Sequence, residues 1–434
     1  MHEVGALGPT AWLIAAVLKV ILVFTVTLTF VALWTWLERR VAGWIQDRLG
    51  PNRVGPFGLL QPVADGLKNI LKEETYPGAA SRFYFVAAPM LALTPAMMTM
   101  AVVPFAAPLP TPWGLVDMIV ADAPIGVLYV LALTSLGVYG IVMAGWSSNN
   151  KYALLGGLRG SAQMVSYEVA MGMSLVPVFM LAGNVTLTQV VWTQQEGLGL
   201  WLALPLGLSF VIFIIAAFAE TNRLPFDMPE AESELVAGYH TEYSSMKFSM
   251  FMIAEYANLT TSSAVMATLF FGGWDIPFWS GDNMRVVSAG VVEGAAPSVL
   301  ITLLTLAAFS LKTFFFVFLF MWVRWTVPRF RYDQIMHLGW KILLPVALAY
   351  IAITGTGILV LDQMGVAYGF TFGLVLTAVN VLATGGFLWL LDRDRVMSGS
   401  WITQQQRQER LAGLGRRRHG AAAGPPSGEE PAWR

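Results

Sequence analysis

The chain has 434 residues, of which 56% are hydrophobic and 12% charged, with 26 Lys and Arg against 27 Asp and Glu and a net charge of −1. A mean hydropathy of +0.62 and a charged share well under the roughly 25% of soluble domains exclude a water-soluble enzyme or a basic nucleic-acid binder, so the chain is an integral membrane protein with no nucleic-acid partner. Cysteine is missing altogether, which excludes cysteine-ligated iron–sulfur clusters, disulfides and thiol catalysis within the chain.

Runs of about 20 apolar residues, long enough to cross a hydrocarbon core of roughly 30 Å as helices, predict an all-α polytopic membrane fold. Nine spans are expected, at about 11–36, 83–106, 122–145, 161–183, 201–219, 246–272, 297–322, 341–361 and 368–391. They make residues 1–391 a single transmembrane domain, with 392–434 as a tail. Loops after the odd-numbered spans hold nearly all the Arg and Lys, whereas the opposite side has only Arg285. By the positive-inside bias this predicts an outside N-terminus and a cytoplasmic C-terminus. The first span lacks a basic n-region and a small-residue cleavage site, so it reads as a retained anchor.

After the first span comes Glu38-Arg39-Arg40, then a loop punctuated by Gly50-Pro51 and Gly55-Pro56, which interrupt helix. From Leu59 the pattern changes: Leu59, Leu60, Val63, Leu67, Ile70 and Leu71 recur at helical spacing, with Gln61, Asp65, Lys68, Asn69 and Lys72 opposite. An amphipathic helix lying on the membrane or under a partner is expected there. Pro89, Pro95, Pro177, Pro205 and Pro345 fall inside spans, where kinks are common. Ser147 to Lys151 form a polar turn, and Gly156, Gly157 and Gly160 leave room for close backbone approach.

Two acids lie inside spans. Glu168 comes about eight residues after Gly160, and Glu255 about eight after Lys247, so both sit at a depth of roughly 12 Å. Between them runs AETNRLPFDMPEAESELVAGYHTEY, residues 219–243, where Glu220, Asp227, Glu230, Glu232, Glu234 and Glu242 accompany one fixed cation, Arg223, and His240. Carboxylates a few ångströms apart and shielded from water share protons instead of all ionising. A connected polar file is the expected arrangement.

Arg324, Arg329, Arg331 and Lys341 interleave with Trp322, Trp325, Phe330 and Tyr332 after the seventh span, the pattern of a positive-inside anchor with an aromatic belt. The tail carries Arg416 to Arg418 and GAAAGPPSGEEP without an apolar period, so it is expected to be disordered or loosely held. Neither a G-x-G-x-x-G nor a P-loop motif occurs, and the four histidines are scattered, so no metal site is expected.

Four blocks carry a family resemblance: Glu38-Arg39-Arg40 with GPNRVGPFGLLQPVADGLK; SNNKYALLGGLRGSAQMVSYEVAMG; AETNRLPFDMPEAESELVAGYHTEY with AEY at 254–256; and WVRWTVPRFRYDQIMHLGWK. Over about residues 11–361 the chain resembles the H-subunit family of the proton-pumping NADH:quinone oxidoreductase, respiratory complex I. The ninth span and the tail lie outside that core.

The resemblance implies a multi-pass subunit of the energy-transducing bacterial plasma membrane, placed where the peripheral and membrane arms meet. It implies that the subunit forms part of the quinone chamber and couples quinone reduction to proton translocation. Glu168, Glu220, Glu230, Glu232, Glu234, Glu242 and Glu255 then form an acidic relay, while Arg39, Arg48, Asp65, Lys68, Arg223 and Asp227 line or support the chamber. It further implies ubiquinone or menaquinone as substrate, no redox centre on this chain, and NADH, FMN and iron–sulfur clusters on partner subunits. Expected partners are the peripheral-arm quinone-site subunits, the antiporter-like membrane subunits and the lipid bilayer. Five helices similar to half of an antiporter-type fold are also implied. Two other readings fit buried acids: a stand-alone proton or cation transporter, and a scaffold joining the two arms.

Overall fold

The computed structural model describes residues 2–392 except 4, 6, 278, 289 and 290; the tail expectation therefore lies outside the described residues. In chain order the longer helices are α1 (Pro9–Ile45), α2 (Gln61–Leu71), α3 (Arg82–Met98), α4 (Gly126–Ser147) and α5 (Lys151–Ala182). They continue with the short α6 (Leu187–Trp192), α7 (Gly207–Glu220), the short α8 (Glu232–Leu235), α9 (Ser245–Phe270) and α10 (Val299–Thr326). Last come α11 (Tyr332–His337), α12 (Leu344–Gln363) and α13 (Phe370–Asp392). A π-helical turn, Leu338–Leu343, joins α11 to α12 without a break.

Among the described residues seven helical stretches are long and apolar enough to cross a membrane: α1, α3 with its following turn, α4, α5, α10, the run Tyr332–Gln363, and α13. The chain is thus an all-α polytopic membrane protein. The two other expected spans correspond to α7 and α9. Helix α9 has 26 residues but carries more polar ones. Helix α7 has only 14, below the roughly 20 of a full crossing. Pro205 is the local reason, because it supplies no N–H, and residues 202–206 form turns before Gly207 opens the helix.

A second expected boundary also moves. Helix α1 runs nine residues past the expected end, so Glu38, Arg39 and Arg40 are helical and not in a loop. Leu, Glu and Arg favour helix, and no Gly or Pro interrupts between Trp36 and Gly43. The region expected as a loop after the seventh span is likewise mostly helical, with α10 and α11 separated only by residues 327–331. Among the described residues five short strands add to the helical expectation. His2–Glu3, Val291–Gly294 and Met284–Ser288 form an antiparallel three-stranded sheet in that order, and Leu109–Thr111 pairs with Gly114–Val116.

Helix α5 is central, packing against α4, α7 and α12, while α3 packs on α4 and α9. Small residues let these helices approach: Ala88, Ala92, Ala96, Ala144, Ala254 and Ala257 sit in one buried cluster with Phe85, Tyr239, Tyr243 and Phe251. The glycines of α5 do what their spacing suggests. A Cβ at Gly156 would lie 2.7 Å from the Pro229 carbonyl oxygen, and one at Gly160 would lie 2.8 Å from Pro229 Cγ. The 221–244 loop therefore lies directly on α5. Helix α2 is amphipathic as expected: Val63, Leu67, Ile70 and Leu71 are exposed on it, as is Leu60 just before it.

Candidate functional site

Four elements bring one charge knot together. Where α7 ends, the chain turns and drives Arg223 into the interior, leaving its side chain with no exposed surface. Arg223 Nη1 donates to Glu38 Oε2 of α1 at 2.5 Å, and its Nε lies 2.7 Å from Glu255 Oε1 of α9. The guanidinium carbon also stands 4.3 Å from the ring centroid of Tyr256. Glu38 in turn accepts from Arg324 Nη1 of α10 at 2.5 Å and from the Tyr256 hydroxyl at 2.8 Å. A charge taken out of water is tolerable only when it is paired and hydrogen-bonded. Glu38 is satisfied through both oxygens, while Arg223 has the charges of Glu38 and Glu255 and the π-face of Tyr256; its Nε and Nη2 have no hydrogen-bond partner among the described residues.

One turn further along the loop the balance shifts toward unpaired acid. Asp227 accepts from Arg329 Nη2 at 2.7 Å. Burial pushes its carboxyl up to about 6 against the pull of Arg329. Burial also raises Glu230 well above the usual carboxylate range, with the nearby charges of Glu255 and Asp227 adding to the effect. His240 Nδ1 stands 3.8 Å from Glu230. Burial lowers His240 to about 4, so the ring is neutral at pH 7 and offers Glu230 no fixed cation.

Beyond Glu230 no Arg or Lys lines the next two cavities among the described residues. A cavity with about 30 Å³ of room for the centre of a water molecule is lined by Glu220, Glu230, Glu255, Asn258 and Tyr239. That is space for one or two waters. A second cavity, of about 20 Å³ by the same measure, has a mostly apolar lining that includes Val130, Leu175 and Phe213, with Glu220, Asn258 and Thr261 among its polar members. Glu220 and Asn258 border both. Glu220 is 3% exposed, and its Oε2 has no hydrogen-bond partner among the described residues. Glu168 lies near enough for its charge to act on Glu220, and it accepts a short hydrogen bond from the Ser135 hydroxyl of α4.

The other expected relay acids are elsewhere. Glu232 and Glu234 are exposed, and Glu234 pairs with Arg159 at 2.6 Å. Glu242 accepts from Asn150 Nδ2 at 2.7 Å. The run of six acids in residues 219–243 is therefore not one cluster: Glu220, Asp227 and Glu230 turn inward and the other three do not. Nor is Arg223 the one cation facing it, because Arg324, Arg329 and Arg159 also reach these acids or their partners. Among the expected chamber residues, Arg39 pairs with Asp65 at 2.6 Å and so links α1 to α2. Arg48 donates to Gln46 at 2.7 Å on the exposed loop, and Lys68 is exposed.

Sequence reasoning misses Glu38, Arg324, Arg329, Tyr256 and Asn258 as members of the buried set. The pattern around Arg324 and Arg329 predicts an interfacial anchor, yet both turn inward. Charge balance is the available signal, because several buried carboxylates need more than one buried cation. Among the described residues no three His, Asp or Glu side chains gather where a metal ion could be held.

Comparison with known proteins agrees with the sequence resemblance. A family model described as NADH dehydrogenase matches residues 18–355. The NADH-quinone oxidoreductase H subunit numbered 2 in Koribacter versatilis is 50% identical over 356 residues, which cover 79% of this chain and 96% of that protein. The H subunit numbered 1 in Cytophaga hutchinsonii is 46% identical over 81% of this chain and 98% of its own length. For NADH-quinone oxidoreductase subunit 8 of Rhodothermus marinus the identity is 49%, over 78% and 95%. With a family model spanning most of the chain and relatives near half identity over almost their whole length, the chain belongs to the H-subunit family of NADH-quinone oxidoreductase and is a membrane subunit of that oxidoreductase.

Proposed function

We propose that this subunit walls part of the quinone chamber and couples quinone reduction to proton translocation through its buried acids. One observation carries the reading. From Arg223 the interior acids run Glu255, Glu230, Glu220, Glu168, and the fixed cations end before the last two while small water-sized cavities continue. A quinone that takes two electrons also takes two protons. Charge developing beside Glu38, Arg223 and Glu255 would be felt by carboxyls that are only partly compensated, and these respond by gaining or releasing protons.

In this reading the electrons arrive from partner subunits that carry FMN and iron–sulfur clusters, since this chain has no cysteine to hold a cluster. Arg39, Asp65, Arg48 and Lys68, on α1, α2 and the loop between them, frame the chamber side. The exposed apolar face of α2 meets lipid or a peripheral-arm subunit. Glu232, Glu234 and Glu242 contribute surface charge toward partners and take no part in the relay. The arginine-rich loops face the cytoplasm of a bacterial plasma membrane, with the N-terminus outside.

The test is substitution in the assembled complex. Glu220→Gln and Glu168→Gln should each lower coupled quinone reductase activity about a hundredfold or more, within the range of lost proton-transfer groups, while complex yield stays near wild type. Normal turnover and normal pumping in both variants would reject the proposal. The ion-paired knot at Arg223 gives the scaffold reading one specific support, and there the outcome differs: yield falls and turnover per assembled complex is unchanged.

A further inference from the structure

Helix α13 lies beyond the residues matched by the family model, 18–355, yet it makes a polar connection to the centre of the molecule. Helix α7 starts abruptly. Pro205 removes one donor, and the first N–H groups of a helix have no partner within it. No side chain from its own segment caps this end. The cap comes from 172 residues away, where Asn380 Oδ1 of α13 accepts from the Leu208 N–H at 3.1 Å.

The same side chain satisfies the broken segment twice. Asn380 Nδ2 donates to the Leu204 carbonyl at 3.0 Å. The Tyr350 hydroxyl of α12 donates to Asn380 Oδ1 at 2.9 Å and stands 3.3 Å from the Pro205 carbonyl. All of this is buried, with Asn380 at 7% and Tyr350 at 1% exposure. Gly207 completes the fit, because a Cβ there would come within 2.8 Å of Asn380 Nδ2.

An asparagine oxygen accepting from the second N–H of a helix is the ordinary N-cap interaction, here supplied by a different helix. Helix α7 is 14 residues long, a rod of roughly 21 Å, and Glu220 is its final residue. Fixing one end of so short a helix fixes the rotation and height of the other.

We propose that Asn380 is a positioning residue: by capping α7 from α13, it sets where the Glu220 carboxyl stands between its two cavities. This rests on the relay reading for its functional meaning, though not for its geometry. Helix α13 is then a working part of the fold and not a lipid-facing addition.

Three variants of the intact complex test this: Asn380→Leu, which keeps size but removes both polar atoms; Gly207→Ala, which pushes a methyl into Asn380; and Tyr350→Phe. The readouts are hydrogen exchange at the Leu208 amide and the infrared C=O band of Glu220, identified by its loss in Glu220→Gln. Leaving a buried donor unpaired should speed Leu208 exchange by about tenfold to a hundredfold in Asn380→Leu. The titration midpoint of the Glu220 band should move by about one pH unit or more in Asn380→Leu and Gly207→Ala, and less in Tyr350→Phe.

If Asn380→Leu does not assemble, Gly207→Ala carries the test alone. A Glu220 band unchanged in every variant that assembles would overturn the proposal. A displaced band with intact pumping supports the positioning role and counts against the relay reading instead.

Discussion

The interior holds two kinds of buried carboxyl, and they are only a few side chains apart. Around Arg223 each acid has a cation or donor in place: Glu38 has Arg223, Arg324 and Tyr256, and Glu255 has Arg223. Around Glu220 the partners are water-sized cavities, an asparagine and another acid. Paired charge in a low-dielectric interior is rigid, since removing either member strands the other. An acid without a fixed cation gains or loses a proton at far lower cost, so it is suited to respond. On the proposed function, the contrast separates a part that holds the helices from a part that answers to charge.

Breaking the paired region should have the largest effect. Arg223→Met leaves Glu38 and Glu255 short of their shared cation, at a cost of about 3–5 kcal/mol, and assembled complex should be nearly undetectable on native gels. Glu38→Gln keeps one hydrogen-bonding oxygen and should assemble at reduced yield. If both variants assembled like wild type, the distinction between the regions would vanish.

The loop between the two regions sharpens the comparison through pH. Asp227 has a raised folded value, so between about 4 and 6 the folded state binds more protons than the unfolded one. Its contribution to stability is present at the acid end and is lost as pH rises through about 6. His240 runs the other way. Its folded value is lowered to about 4, so its contribution is present above about 6.5 and is lost as pH falls toward 4. Thermal unfolding followed from pH 4 to 7 should therefore respond oppositely: Asp227→Asn makes stability rise more steeply with pH, and His240→Gln flattens it. Equal slopes in both variants would contradict this assignment.

The smallest effect is expected at the surface. Glu234→Ala removes an exposed pair with Arg159 worth about 0–1 kcal/mol. Turnover of the assembled complex should be unaltered, and any loss of stability should shrink further in high salt.

How far the sequence reveals this arrangement depends on the kind of signal. The period of Leu60, Val63, Leu67 and Ile70 is enough for α2, whereas the matched depth of Glu168 and Glu255 leads only to the proposed role. The glycines of α5 announce a close neighbour without naming it, and that neighbour is Pro229. Three things stay hidden. Residues 221–244 have no repeating pattern, so nothing separates inward Glu230 from outward Glu232. Arg324 ends a helix, and its direction depends on a rotation about the axis that only packing determines. The shortest strands have two or three residues, too few for alternation to register.

Helix α1 has one more consequence. Its 37 residues make a rod of roughly 55 Å, against a hydrocarbon layer of roughly 30 Å. Such a rod must lean or jut, and its lean follows the thickness of the surrounding lipid. Glu38 lies near the far end of that rod, so the carboxylate that grips Arg223 sits on the helix whose length exceeds the bilayer most.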